Sequence, residues 1–105
     1  MLRIYPFIIE TLRDVAPIVR EIARHDVDLA RQTRRAASSI ALNTAEAYGC
    51  SGGNERMRFR SALGSAHEVR ACLDVAEALG YVEPVEEKLR DAFDRIAATL
   101  YRLAT

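Results

Sequence analysis

Gln32, Arg35, Ser39, Asn43 and Glu46 recur at steps of 3, 4, 4 and 3, which on a helix at about 100° per residue confines them to roughly 80° of arc. The line combines carboxamides, a hydroxyl, a guanidinium and a carboxylate, so it can build a hydrogen-bonded network. As a merely solvated face it would need no partner. Short Ser and Asn side chains amid alanines, however, suit an exposed helix less well than Glu or Lys. The network reading lays the line against another helix or subunit, with Arg35 pairing to Glu46 or to Glu68, because a charge withdrawn from water needs a partner. It makes Gln32, Arg35, Ser39, Asn43, Glu46 and Glu68 a structural polar network, whose importance an Arg35→Ala substitution tests.

A second chemistry belongs to arginine. Arg13, Arg20 and Arg24 lie on one ridge, Arg31 and Arg34 follow, and Arg56 with Arg60 precedes a later run, each set at helical neighbour spacing. A guanidinium fork suits phosphate, so these seven are the candidate nucleic-acid contacts. Against them, Glu10, Asp14, Glu21 and Glu55 stand close enough in sequence to neutralise the charge. The chain as a whole carries 15 basic and 15 acidic residues, which gives no long-range field for capturing RNA or anionic lipid. Binding would depend on a local patch, repeated by oligomer symmetry, and would follow phosphates and shape rather than bases.

Catalytic patterns are sparse. Arg20 with His25 and Arg60 with His67 satisfy a loose Arg-x4–6-His spacing found in helical HEPN ribonucleases, but 14 arginines and two histidines produce such matches by chance. A metal-independent ribonuclease is therefore the remote alternative. No Glu-x-x-His pair, phosphate loop, dinucleotide glycine pattern or defensible Ser-His-Asp set occurs. Cys50 and Cys72 lack metal-ligand spacing and read as reduced thiols, Cys72 as packing and Cys50 as an exposed loop thiol. The expectation is a noncatalytic chain with no metal, cofactor or small-molecule substrate.

The elements that position these residues follow from periodicity. At 105 residues, half of them hydrophobic but only 7% aromatic and none Trp, the chain can build one Ala- and Leu-rich helical core. Ile8, Leu12, Val15, Val19 and Ile22 mark a first helix from Tyr5 to His25, which Pro17 should kink or delay. Asp26 or Asp28 caps a second helix from Leu29 to Tyr48, with Leu29, Thr33, Ala37, Ile40, Ala41, Thr44 and Tyr48 inward. Gly49 to Asn54 reads as a loop, with Asn54 capping a third helix that carries Phe59, Leu63, Ala66, Val69, Leu73 and Ala76 and ends near Leu79 at Gly80. Glu83 and Pro84 open a fourth helix lined by Val85, Leu89, Ala92 or Phe93, Ile96, Leu100 and Leu103. Four such helices bury their stripes most simply as one all-α domain over residues 1–105, an up-down-up-down antiparallel four-helix bundle. The apolar run Ile4 to Ile9 is too short for a membrane span and has no signal-peptide pattern, so a cytoplasmic protein is expected.

Leu29, Gln32, Arg35-Ala36-Ala37, Ser39-Ile40, Asn43, Ala45-Glu46 and Tyr48-Gly49, followed by Arg58-Phe59, Ala62, Gly64-Ser65, Glu68, Leu73 and Leu79-Gly80-Tyr81, resemble the bacterial four-helix-bundle family encoded within intervening sequences of 23S ribosomal RNA genes. The likeness covers about residues 29–82. Where that family commonly reads Ser-Ile-Pro-Ala-Asn-Ile-Ala-Glu-Gly, this chain has Ser39-Ile40-Ala41-Leu42-Asn43-Thr44-Ala45-Glu46-Ala47. Loss of the proline should straighten the second helix. The resemblance implies an elongated bundle that forms homopentamers, and a broader similarity to the accessory protein of diversity-generating retroelements implies work alongside nucleic acid. The resulting expectation is a noncatalytic homo-oligomer associated with RNA or ribonucleoprotein, the alternative being a protein-binding scaffold or adaptor ring. Tyr5, Phe7 and Leu42 are candidates for exposed apolar contacts with either a copy or a partner.

Overall fold

The computed structural model describes residues 4–105. Four helices, α1 (Ile4–Ala23), α2 (Val27–Ala47), α3 (Gly52–Ala78) and α4 (Glu87–Ala104), follow one another without a strand among the described residues. Each packs on its sequence neighbours, most extensively α2 on α3, and a sparser α1–α4 contact completes the bundle. Contacts between Gln32 and Glu68, Ser39 and Ser65, and Glu46 and Arg58 run in opposite senses along α2 and α3, so the two are antiparallel. Arg90 of α4 reaches Asp74 and Glu77 near the end of α3, while Arg60 near its start reaches the carbonyl of Ala104, which makes α3 and α4 antiparallel as well. The up-down-up-down bundle is thus the observed fold.

The core is aliphatic with two large rings, Phe59 and Phe93. Ile8, Ile22, Ile40, Val69, Phe93, Ile96 and Leu100 are all essentially without solvent contact, and such side chains each stabilise the fold by about 1.5–3 kcal/mol. Between them lie Ala30, Ala36, Ala41, Ala47, Ala62, Ala66 and Ala76, whose short side chains bring helix backbones close. Thr11, Thr33 and Thr44 are buried too. Each donates its hydroxyl to the carbonyl four residues back, at 2.7–2.8 Å, and so enters the core without an unsatisfied polar atom.

Caps explain most boundaries. Asp26, in an extended conformation, accepts a bond from the amide of Leu29 at 2.9 Å and starts α2. At the end of α3, Gly80 has φ +75, the Gly80 amide donates to the Glu77 carbonyl and the Tyr81 amide to the Ala76 carbonyl, completing a Schellman closure. Tyr81 then ties this end together: its ring stacks on His25 at 5.3 Å, and its hydroxyl lies 3.4 Å from the carboxylate of Asp26.

Several boundaries differ from the expectation. The start of the first helix is not among them: α1 runs without interruption through Pro17, which lies on the exposed side where its lost amide bond is tolerated, and begins as early as its apolar pattern does. α3 begins at Gly52 rather than after Asn54: the first amides of a helix have no internal partner anyway, so glycines are tolerated there, and Ser51 accepts from Glu55 without any side-chain cap. α4 begins at Glu87, not near Glu83, because Pro84 disfavours helical conformation in the residue before it and Glu86 is still extended, with φ −58 and ψ 142. Tyr48 sits at the C-cap of α2 with about a third of its surface exposed, and Ala47 is fully buried in its place. Leu79 is likewise exposed, while Cys72 joins the buried face of α3.

Candidate anion-binding face on the second helix

Five of the six network residues meet at the α2–α3 seam. The Asn43 carboxamide donates to the Ser39 hydroxyl at 2.9 Å and to its carbonyl at 3.0 Å, and the Ser65 hydroxyl donates to Ser39 Oγ at 2.8 Å. Arg58 then donates to Asn43 Oδ1 at 3.3 Å and pairs with Glu46 at 2.9 Å. Higher along the seam, Gln32 Nε2 donates to Glu68 Oε2 at 3.3 Å. Ser39, Asn43 and Ser65 are half-buried, whereas the Arg58 and Glu46 side chains remain 47% and 56% exposed. The serine–asparagine centre therefore carries more of the energy than the ion pair at its rim.

Arg35 does not join this network. The antiparallel register sets Arg58 of α3 opposite Glu46, where it satisfies that carboxylate, and Gln32 takes Glu68, leaving the Arg35 guanidinium outside both pairs. Arg58 and Ser65 are the members that helical spacing on α2 could not reveal. The signal for them lay in the register between two helices rather than within one.

The seven arginines divide by partner. Arg13 pairs with Glu10 at 3.5 Å, Arg24 with Glu21 at 3.4 Å and Arg31 with Asp28 at 3.6 Å, each with a carboxylate three residues earlier in the chain. Arg20, Arg34, Arg56 and Arg60 have no carboxylate partner among the described residues, and Arg60 instead donates to the Ala104 carbonyl at 3.4 Å. Arg20 and Arg34 line a groove of about 270 Å³ between α1 and α2, floored by Leu12, Val15, Val19 and Ala37. On the other flank of α2, Arg34, Arg35 and Arg58 line an open hollow of about 430 Å³ that also holds Ser39, Asn43 and Glu46. The fold thus gathers Arg20, Arg34 and Arg35 around one ridge of α2, and it leaves Arg56 and Arg60 apart, at the opening of α3.

The remaining reactive groups have other surroundings. His25 stacks on Tyr81 and lies 3.8 Å from Glu21, so its near partners are a ring and a carboxylate, not Arg20. His67 is exposed on α3. Burial pushes the Cys72 thiol upward, with the Glu68 charge adding and the Thr33 hydroxyl opposing; Cys50 is half-buried in the loop. Desolvation, then the Asp26 carboxylate, pushes the Tyr81 phenol upward as well. No group of three or more metal-ligating side chains occurs among the described residues, and no described helix is long and apolar enough to cross a membrane.

The molecule is thus a small all-α bundle protein with a polar seam and an unneutralised arginine ridge on its second helix. Residues 2–102 match the family described as 23S rRNA-intervening sequence protein, and the chain belongs to that family. The match takes in the first and last helices as well as the motif-bearing centre. No curated protein and no solved structure matches the chain.

Proposed function

We propose that this chain is a noncatalytic, self-assembling bundle protein that associates with RNA through the arginine ridge of α2. The observation that carries the reading is that Arg20, Arg34 and Arg35 have no carboxylate partner among the described residues in a chain of zero formal charge, where Arg13, Arg24, Arg31, Arg58, Arg70 and Arg90 each have at least one. Three such guanidinium forks, Arg20 of α1 and Arg34 and Arg35 of α2, form a local phosphate-binding patch without a global field. The family's description, which ties its members to 23S rRNA intervening sequences, supports RNA as the anion. Assembly, as a homopentamer on the resemblance, multiplies the patch around a ring in the cytoplasm.

A second reading, a protein-binding adaptor ring, draws on Leu42, which is 62% exposed beside Arg35 and lines the same hollow. The test for both is binding of purified protein to a structured RNA across a salt series, with light scattering on the same samples. A pentamer whose affinity falls steeply with salt is the expected result. A pentamer that ignores RNA at low salt would overturn the RNA reading and favour the adaptor; a monomer would overturn self-assembly.

A further inference from the structure

A larger hollow, about 520 Å³, lies between α1, the non-helical segment 81–86 and the start of α4. Its volume is within the usual range of ligand sites. Ile18 of α1, Val82 and Val85 of the connection and Leu89 of α4 supply an apolar floor. The rim has the opposite charge to the α2 ridge. Asp14, Glu83 and Glu86 line it with no cationic partner among the described residues, whereas the Arg13 that also lines it is held by Glu10; Lys88 is its one unpaired cation.

A third feature concerns the backbone. The amides of Val82, Glu83 and Val85 donate no backbone hydrogen bond among the described residues, and Glu86 has extended dihedrals. Unpaired main chain beside an apolar floor is what an extended peptide needs: it can add main-chain bonds while alternate side chains drop into the floor. The carboxylate rim selects positive charge on the other side chains and repels phosphate. A second copy of this chain is a poor occupant, because the cations without a carboxylate partner among its described residues sit on helices, whose backbone amides are already used.

We propose that this groove is the docking site for an extended segment of a partner protein in which aliphatic side chains alternate with lysine or arginine. The site is independent of the RNA reading, since it uses none of the residues of the α2 ridge.

The test uses the full chain and a fluorescein-labelled heptapeptide alternating lysine with valine or leucine, followed by anisotropy at low salt, with light scattering on the same samples. The peptide is expected to bind. Replacing its lysines by glutamates is expected to abolish binding. In the protein, D14N/E83Q/E86Q is expected to weaken binding by about tenfold, as three exposed charge contacts together imply, while leaving helical circular dichroism unchanged. Lack of binding, equal binding of the glutamate peptide, or a triple variant that alters oligomer mass in place of peptide affinity would each overturn the proposal.

Discussion

The α2–α3 seam and the α1–α4 flank are built from similar helices but close differently. Between α2 and α3, buried alanines let the helices pack extensively, and Ser39, Asn43 and Ser65 spend their hydrogen-bonding capacity on one another. Between α1 and α4 contact is sparse, because α4 does not begin until Glu87 and the Pro84 segment crosses the gap in non-helical form, leaving a groove with unpaired carboxylates. Polar groups on a helix therefore do not reveal their role by type alone. Short ones facing a close neighbour are structural; those facing a gap or a ridge without a counter-charge remain available to an external partner.

The comparison can be broken most forcefully by deleting the same side chain in two places. Ile40→Ala in α2 should cost about 4 kcal/mol and Ile8→Ala in α1 about 3 kcal/mol, since both are fully buried but the looser flank can collapse further into the space. Denaturant unfolding gives both values, and a reversed order would contradict the packing difference. Pro17→Ala, on the exposed face of an unbroken helix, should stabilise by about 2 kcal/mol, because an alanine restores the missing amide.

The seam itself is sharpened by Ser39→Ala, which removes the hydroxyl that both Asn43 and Ser65 contact and should cost about 1–2 kcal/mol. Arg35→Ala, outside the network, should leave stability within about 0.5 kcal/mol of the parent. The smallest effect is chemical. With its pKa raised by burial, Cys72 stays protonated above the ordinary thiol range, so iodoacetamide at mildly alkaline pH should label Cys50 first. The sign for stability follows: the neutral Cys72 thiol contributes fully at low pH, and that contribution is lost as pH rises from the ordinary thiol range through its raised value. A Cys72→Ala variant should flatten that alkaline decline.

Helix number, order and most buried positions were legible in the sequence because Ile8, Val15, Val19 and Ile22, or Leu89, Ile96 and Leu100, repeat at the period that a helix imposes. The Gly80 closure was legible for the same local reason, and the α2 cap only as a choice between Asp26 and Asp28, which the structure resolves to Asp26. Ends where weak local preferences compete were not: Gly52 and Gly53 looked like loop but fit a first turn, and Pro84 looked like a helix start but held the chain extended. At the candidate site, Gln32, Ser39, Asn43 and Glu46 were readable as one line, yet Arg58 took the partner assigned to Arg35. That exchange depends on the antiparallel register of two helices, which periodicity within either one does not contain. The division of the arginines was similarly hidden, since proximity in sequence identified Glu10 and Glu21 as neutralisers but could not bring Arg20 beside Arg34.

The most direct test of the α2 ridge compares two charge-matched variants in the same RNA salt series. R34Q/R35Q removes guanidiniums without carboxylate partners, and R24Q/R31Q removes two that Glu21 and Asp28 already neutralise. The first pair should lower the slope of log affinity against log salt by about 1.5 and weaken binding, whereas the second should leave both near the parent. Equal effects from the two variants would show that partnering does not select the RNA-binding arginines and would contradict the account.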